Sequence, residues 1–71
     1  MKNAADAVRI FSVNAEEYPQ SYNVYDSLAE AFMVAGKRED ALKNYRKSLQ
    51  MNPDNTNAAE RVRKLETSSP H

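Results

Sequence analysis

The chain has 71 residues, ten basic and ten acidic side chains, and no cysteine. This length allows one small domain, and so small a core commonly needs support from another chain. The formal net charge of zero creates no field that would attract nucleic acid or an anionic membrane surface. The absence of cysteine excludes disulfides as that support, and a metal site is not expected because the only histidine is the last residue, His71. We therefore expect no cofactor, no metal, no nucleic-acid partner and no membrane partner.

No apolar run approaches the roughly 20 residues that a membrane-spanning helix needs. Residues 1–6 lack the apolar centre of a signal peptide. The sequence predicts a soluble protein of unknown compartment, with the cytoplasm favoured if Met1 is the native start.

The first of four predicted helical segments covers residues 3–17. Ala4, Ala7 and Phe11 recur at the spacing of one helix face, and the segment cannot pass Tyr18 because proline follows it. The second segment covers residues 22–35, and its apolar stripe consists of Tyr25, Leu28, Ala29, Phe32 and Ala35. Ser21 is its expected N-cap, and Gly36 is expected to end it in the left-handed conformation.

The third segment covers residues 38–51, and its predicted buried stripe consists of Ala41, Leu42, Tyr45, Ser48 and Leu49. The fourth segment covers residues 56–66, with Asn55 as the expected N-cap. Residues 67–71 have no periodicity and are predicted to form a disordered tail. Because the connections are short, consecutive helices should pack as antiparallel neighbours, which predicts an all-α fold of four helices.

An internal repeat is the most informative feature of the chain. Three matching pairs lie 34 positions apart, namely Ala7 with Ala41, Phe11 with Tyr45, and Pro19 with Pro53. A period of 34 residues that contains two helices is typical of the tetratricopeptide repeat. Residues 22–55 resemble one full repeat of this family at nine positions in register, which are Tyr25, Leu28, Ala29, Phe32, Gly36, Ala41, Tyr45, Ser48 and Pro53.

The resemblance implies the family's antiparallel helix-turn-helix architecture for one domain over residues 1–71. Residues 3–18 resemble the second helix of a preceding repeat, and residues 56–66 resemble the first helix of a following one. In the fourth segment Arg63 and Glu66 occupy positions that are normally small or aromatic. This departure is typical of a polar terminal capping helix. With A and B as the first and second helices of a repeat, the order is B-A-B-A.

The first helix therefore lacks the A helix against which it would normally pack. Part of its apolar stripe, formed by Val8, Ile10 and Phe11, is expected to be open to water. Burying such side chains is worth roughly 1.5–3 kcal/mol each, so a covering partner is expected. We expect a homodimer, formed by symmetric contact or by domain swapping if the turn at Gly36 opens.

The resemblance also implies a concave ligand face on the A helix of the full repeat. Its positions here are Asn23, Asp26, Ser27, Glu30, Met33 and Val34. An ordinary solvated helix face explains the same positions. Members of the family that bind carboxyl-terminal peptides use basic residues there, so Asp26 and Glu30 argue against that ligand class.

Enzymatic activity is not expected, because the sequence has no glycine-rich phosphate loop and no metal-ligand spacing. The leading expectation is a protein–protein interaction module that self-associates. Two alternatives stay open. One is a carboxyl-terminal tetratricopeptide appendage of a larger bacterial protein such as a hydrolase, and the other is a peptide-binding adaptor that uses the concave face.

Overall fold

The computed structural model describes residues 3–67 of the chain. Within that range the chain forms four α-helices and no strand, which confirms the predicted all-α class. The helices are α1 (Ala4–Glu17), α2 (Tyr22–Val34), α3 (Arg38–Met51) and α4 (Thr56–Thr67). Each agrees with its predicted segment to within one residue. Residues 68–71, the rest of the predicted disordered tail, lie outside the described residues, as do residues 1 and 2.

Asparagine side chains cap two of the helices. The Asn3 side-chain oxygen accepts a hydrogen bond from the Asp6 amide at 2.9 Å and begins α1. Asn55 does the same for α4, because its side-chain oxygen accepts from the Ala58 amide at 3.2 Å. The structure thus agrees with the expected cap at Asn55 and adds one at Asn3.

The predicted side-chain cap at Ser21 is wrong. Ser21 precedes α2 in an extended conformation, but its hydroxyl makes no capping hydrogen bond. The amide of Val24, a natural partner for that hydroxyl, instead donates to the Ser21 carbonyl at 3.3 Å. A backbone hydrogen bond therefore replaces the side-chain cap at the start of α2.

The turn between α2 and α3 depends on Gly36, which has a φ of 78°. Its amide donates to the Met33 carbonyl at 3.0 Å, and the Lys37 amide donates to the Phe32 carbonyl at 2.8 Å. This pair of hydrogen bonds is the Schellman arrangement, which requires a left-handed residue at the position of Gly36. The turn returns the chain so that α3 packs along α2.

The core lies where α2, α3 and α4 meet. Ala29, Ala41 and Ala58 are fully buried, and Tyr45 and Leu65 are almost fully buried between them. Small side chains at Ala29 and Ala41 let α2 and α3 approach closely. The first helix packs against α2 but contributes no buried residue. One side of α1 therefore forms an outer edge of the molecule.

Candidate protein-interaction groove

A groove of about 430 Å³ runs between α1 and α2. Its lining residues are Asn3, Ala4, Ala7 and Phe11 from the first helix and its cap, and Ser27, Glu30, Ala31 and Val34 from the second. Most of this surface is apolar, and Glu30 is the one charged residue among those that line it. We call it the α1–α2 groove. Its walls are two rigid helices, and small alanine side chains on both of them keep it open.

A comparison of α1 with α3 shows why the groove is open. Ala41, Tyr45 and Ser48 of α3 have exposed fractions of 0%, 2% and 0% because α2 covers them. The residues 34 positions earlier, Ala7, Phe11 and Asn14, are only half-buried. No other described helix packs on that side of α1. Helices α1 and α3 therefore have matching faces, one covered and one only partly covered.

Several further apolar side chains of α1 and α2 are exposed. Val34, which lines the α1–α2 groove, is 73% exposed. Ile10 and Val13 on α1 are each 48% exposed. These fractions are high for valine and isoleucine, which are among the side chains most often found inside proteins. The α1–α2 groove is itself mostly apolar and open to water, which is typical of a surface that binds another polypeptide.

The three residues predicted for self-association do not all line the α1–α2 groove. Phe11 lines it, whereas Val8 lines an adjoining depression that shares Asn3 and Ala4 with the groove and extends to Ala35 and Lys37. Ile10 lines neither of these depressions. The reason is that each residue turns a helix by about 100°, so three positions within four residues spread around the helix.

The six residues predicted for the concave face also divide into groups. Ser27, Glu30 and Val34 line the α1–α2 groove. Asn23 and Met33 are exposed and do not line it. Asp26 is turned toward α4 and is held there by hydrogen bonding, as described next.

A polar network joins α2, α3 and the start of α4. The Asn55 amide nitrogen donates to Asp26 Oδ2 at 2.9 Å and to Ser48 Oγ at 3.0 Å. Ser48 is fully buried. The second oxygen of Asp26 is buried and has no hydrogen-bond partner among the described residues. Asn55 therefore caps α4 and ties the three helices together, and Asp26 belongs to this framework.

Two tyrosines of the repeat lie in contrasting settings. The Tyr25 hydroxyl donates to the Pro19 carbonyl at 3.1 Å, and the Lys47 ammonium lies 5.7 Å from the centre of its ring. Burial raises the pKa of Tyr45, and the carboxylates of Glu30 and Asp26 raise it further while Arg61 lowers it. Tyr45 is thus a neutral core residue beside the polar network.

Within residues 3–67 the structure contains no cluster of three or more side chains that would hold a metal ion. None of the described helices has the length and apolar character to cross a membrane. Comparison of the chain with protein-family models, curated proteins and solved structures gave no match. The fold and the α1–α2 groove are therefore the basis for a functional proposal.

Proposed function

We propose that the chain is a protein–protein interaction module of the tetratricopeptide type, which binds a helix of another polypeptide in the α1–α2 groove. The observation that carries this proposal is the uncovered face of α1. Helices α2, α3 and α4 each contribute buried residues, whereas α1 contributes none. A bound helix would remove Phe11 and Val34 from water, and full burial of such side chains is worth roughly 1.5–3 kcal/mol each.

The shape of the groove supports a helix as the bound element. Packed helices lie about 8–10 Å apart, and the shorter distances require small residues at the contact. Ala4 and Ala7 on one wall and Ala31 on the other meet this requirement. Ser27 and Glu30 provide polar groups beside the apolar surface. An apolar centre with polar groups at its edge is the usual anatomy of a specific protein interface.

Self-association into a homodimer is a second candidate, favoured by the exposure of Ile10 and Val13. A twofold axis perpendicular to α1 would place two copies of this helix side by side and antiparallel. Such a contact is isologous, so the same residues would be buried on both chains. It would cover Ile10 and Val13 without opening the core.

The proposal is tested by selecting helical peptides with a randomised face for binding to the chain. Selected peptides should lose at least about tenfold in affinity on Ala7→Arg, because the long charged side chain would fill the groove. The matched control is Gln50→Arg, which adds the same charge to an exposed position of α3. Circular dichroism would verify that both variants keep the helical fold. If the two variants bind the peptides equally well, the α1–α2 groove is not the interaction surface.

The homodimer is tested by the molar mass from light scattering over a wide concentration range. A dimer mass that persists on dilution and falls to the monomer value in Val13→Glu supports self-association through α1. A monomer mass at all concentrations rules it out.

A further inference from the structure

Helix α2 covers a surface on α3 and α4 that corresponds, 34 positions later in the sequence, to the α1–α2 groove. The sequence of α2 therefore indicates which kind of helix the groove would bind. Building on the proposed function, we infer that the groove binds a partner helix with the packing pattern of α2. The pattern begins with an aromatic residue. A large apolar residue follows three positions later and a small residue four positions later, and a second aromatic residue stands three positions after the small one.

The 34-residue repeat relates the two grooves. Ala41, Tyr45 and Leu65 on α3 and α4 are buried in one cluster with Ala29 of α2. The residues 34 positions earlier are Ala7, Phe11 and Ala31, and all three line the α1–α2 groove. An alanine, an aromatic residue and an apolar residue therefore recur in the same order. One surface is buried beneath α2, whereas on the other Ala7 and Phe11 are only partly buried and Ala31 is already buried.

The packing of α2 in the core indicates which side chains a helix bound in the α1–α2 groove needs. Ala29 is fully buried in the cluster that contains Ala41 and Tyr45, and Phe32 packs against that cluster. A side chain larger than alanine at Ala29 would push the helices apart. The partner helix therefore needs a small residue opposite Ala7, with large apolar residues before and after it. It should run antiparallel to α1, as α2 runs antiparallel to α3.

Differences between α1 and α3 refine the chemistry of the partner. Val13 occupies the position of Lys47, whose ammonium lies over the Tyr25 ring. The partner's first aromatic residue would therefore meet an aliphatic side chain in place of a cation. Asn14 occupies the position of Ser48 and adds a side-chain amide donor. A hydrogen-bond acceptor directly after the first aromatic, as Asp26 follows Tyr25 in α2, suits this amide.

A second copy of the folded chain does not display such a helix. In α4, Arg63 stands where α2 has Ala29, and Glu66 stands where α2 has Phe32. The matching face of α2 is already buried against α3. The occupant is therefore a helix from a different polypeptide segment.

The experiment appends a copy of residues 20–36 directly before Asn3, in place of residues 1 and 2. This junction preserves the 34-residue register and keeps the Asn3 cap of α1. The matched control carries Ala29→Arg in the appended copy only. Covalent attachment gives the added helix a high effective concentration at the groove, so even a weak contact is detected.

We expect the fusion to raise the thermal midpoint by at least about 10 °C relative to the control, since a few added core contacts shift a domain of this size by that amount. Amide hydrogen exchange in α1 should slow in the fusion and not in the control.

Equal midpoints and equal exchange in the fusion and its control would overturn the inferred pattern. These results are separable from failure of the proposed function. If selected peptides still depend on Ala7, the groove binds helices of another pattern, and if they do not, the function itself is wrong.

Discussion

Removal of the Asn55 side chain should be among the most damaging single substitutions in the described chain. Asn55→Ala eliminates the cap on the Ala58 amide and both donated hydrogen bonds, to Asp26 and to the buried Ser48. Loss of such a cap costs about 1 kcal/mol. Loss of a hydrogen bond to a charged group costs about 1.5–3 kcal/mol. Asp26 Oδ1 is already buried without a hydrogen-bond partner. Loss of the Asn55 amide would remove the hydrogen bond to Asp26 Oδ2 as well.

The expected loss for Asn55→Ala is therefore about 3 kcal/mol in the free energy of unfolding. A core of this size supplies only about 3–5 kcal/mol, so the variant should be close to unfolding at room temperature. Its thermal midpoint should fall by roughly 12–24 °C, since each kcal/mol shifts a small domain by about 4–8 °C.

Thermal and urea unfolding followed by circular dichroism measure this loss. Asn57→Ala is the matched control, because it removes an exposed asparagine from the first turn of the same helix. A double-mutant cycle with Asp26→Ala should give a coupling of at least about 1 kcal/mol, as residues of one network do. If Asn55→Ala behaves like Asn57→Ala, or if the coupling is absent, the network does not join the three helices.

Three further predictions concern the turn, the core tyrosine and the surface. Gly36→Ala should destabilise the chain by about 1 kcal/mol in urea titrations despite the open space around it, because a φ of 78° strains alanine. Since burial raises the pKa of Tyr45, the unfolded chain releases that proton first, and stability should fall as the pH rises above about 10. Tyr45→Phe should flatten this alkaline fall in thermal midpoint, and an unchanged fall would contradict the raised pKa of Tyr45. Glu66→Gln, which removes the exposed ion pair with Arg46, should change the free energy of unfolding by less than about 1 kcal/mol, and a larger loss would contradict its surface character.

Local chemistry made the helices and their ends predictable from sequence. Apolar spacing placed all four helices, and the proline after Tyr18 and the glycine at Gly36 marked two of their ends. These signals act within a few residues, so they do not depend on the rest of the fold. The prediction of a side-chain cap at Ser21 was wrong because the Val24 amide donates to the Ser21 carbonyl instead of the hydroxyl. The sequence does not indicate which of these two oxygens accepts the hydrogen bond.

The candidate site was predictable in kind and less so in detail. The resemblance to a tetratricopeptide repeat predicted an apolar stripe on the first helix that is open to water, and the structure shows α1 without a buried residue. The α1–α2 groove includes Phe11 but not Val8 or Ile10, because small rotations around a helix decide which side chain faces a neighbour. The bond between Asp26 and Asn55 spans 29 residues and depends on the relative positions of two helices, so no local pattern indicates it.

The most direct test of helix binding in the α1–α2 groove is to locate a bound helical peptide on the chain by nuclear magnetic resonance. We predict that amide shift changes concentrate on the two walls of the groove, around Ala7 and Phe11 on one side and Glu30 and Val34 on the other. Changes concentrated instead around Arg46 and Leu49, which line a separate depression on α3, would contradict it.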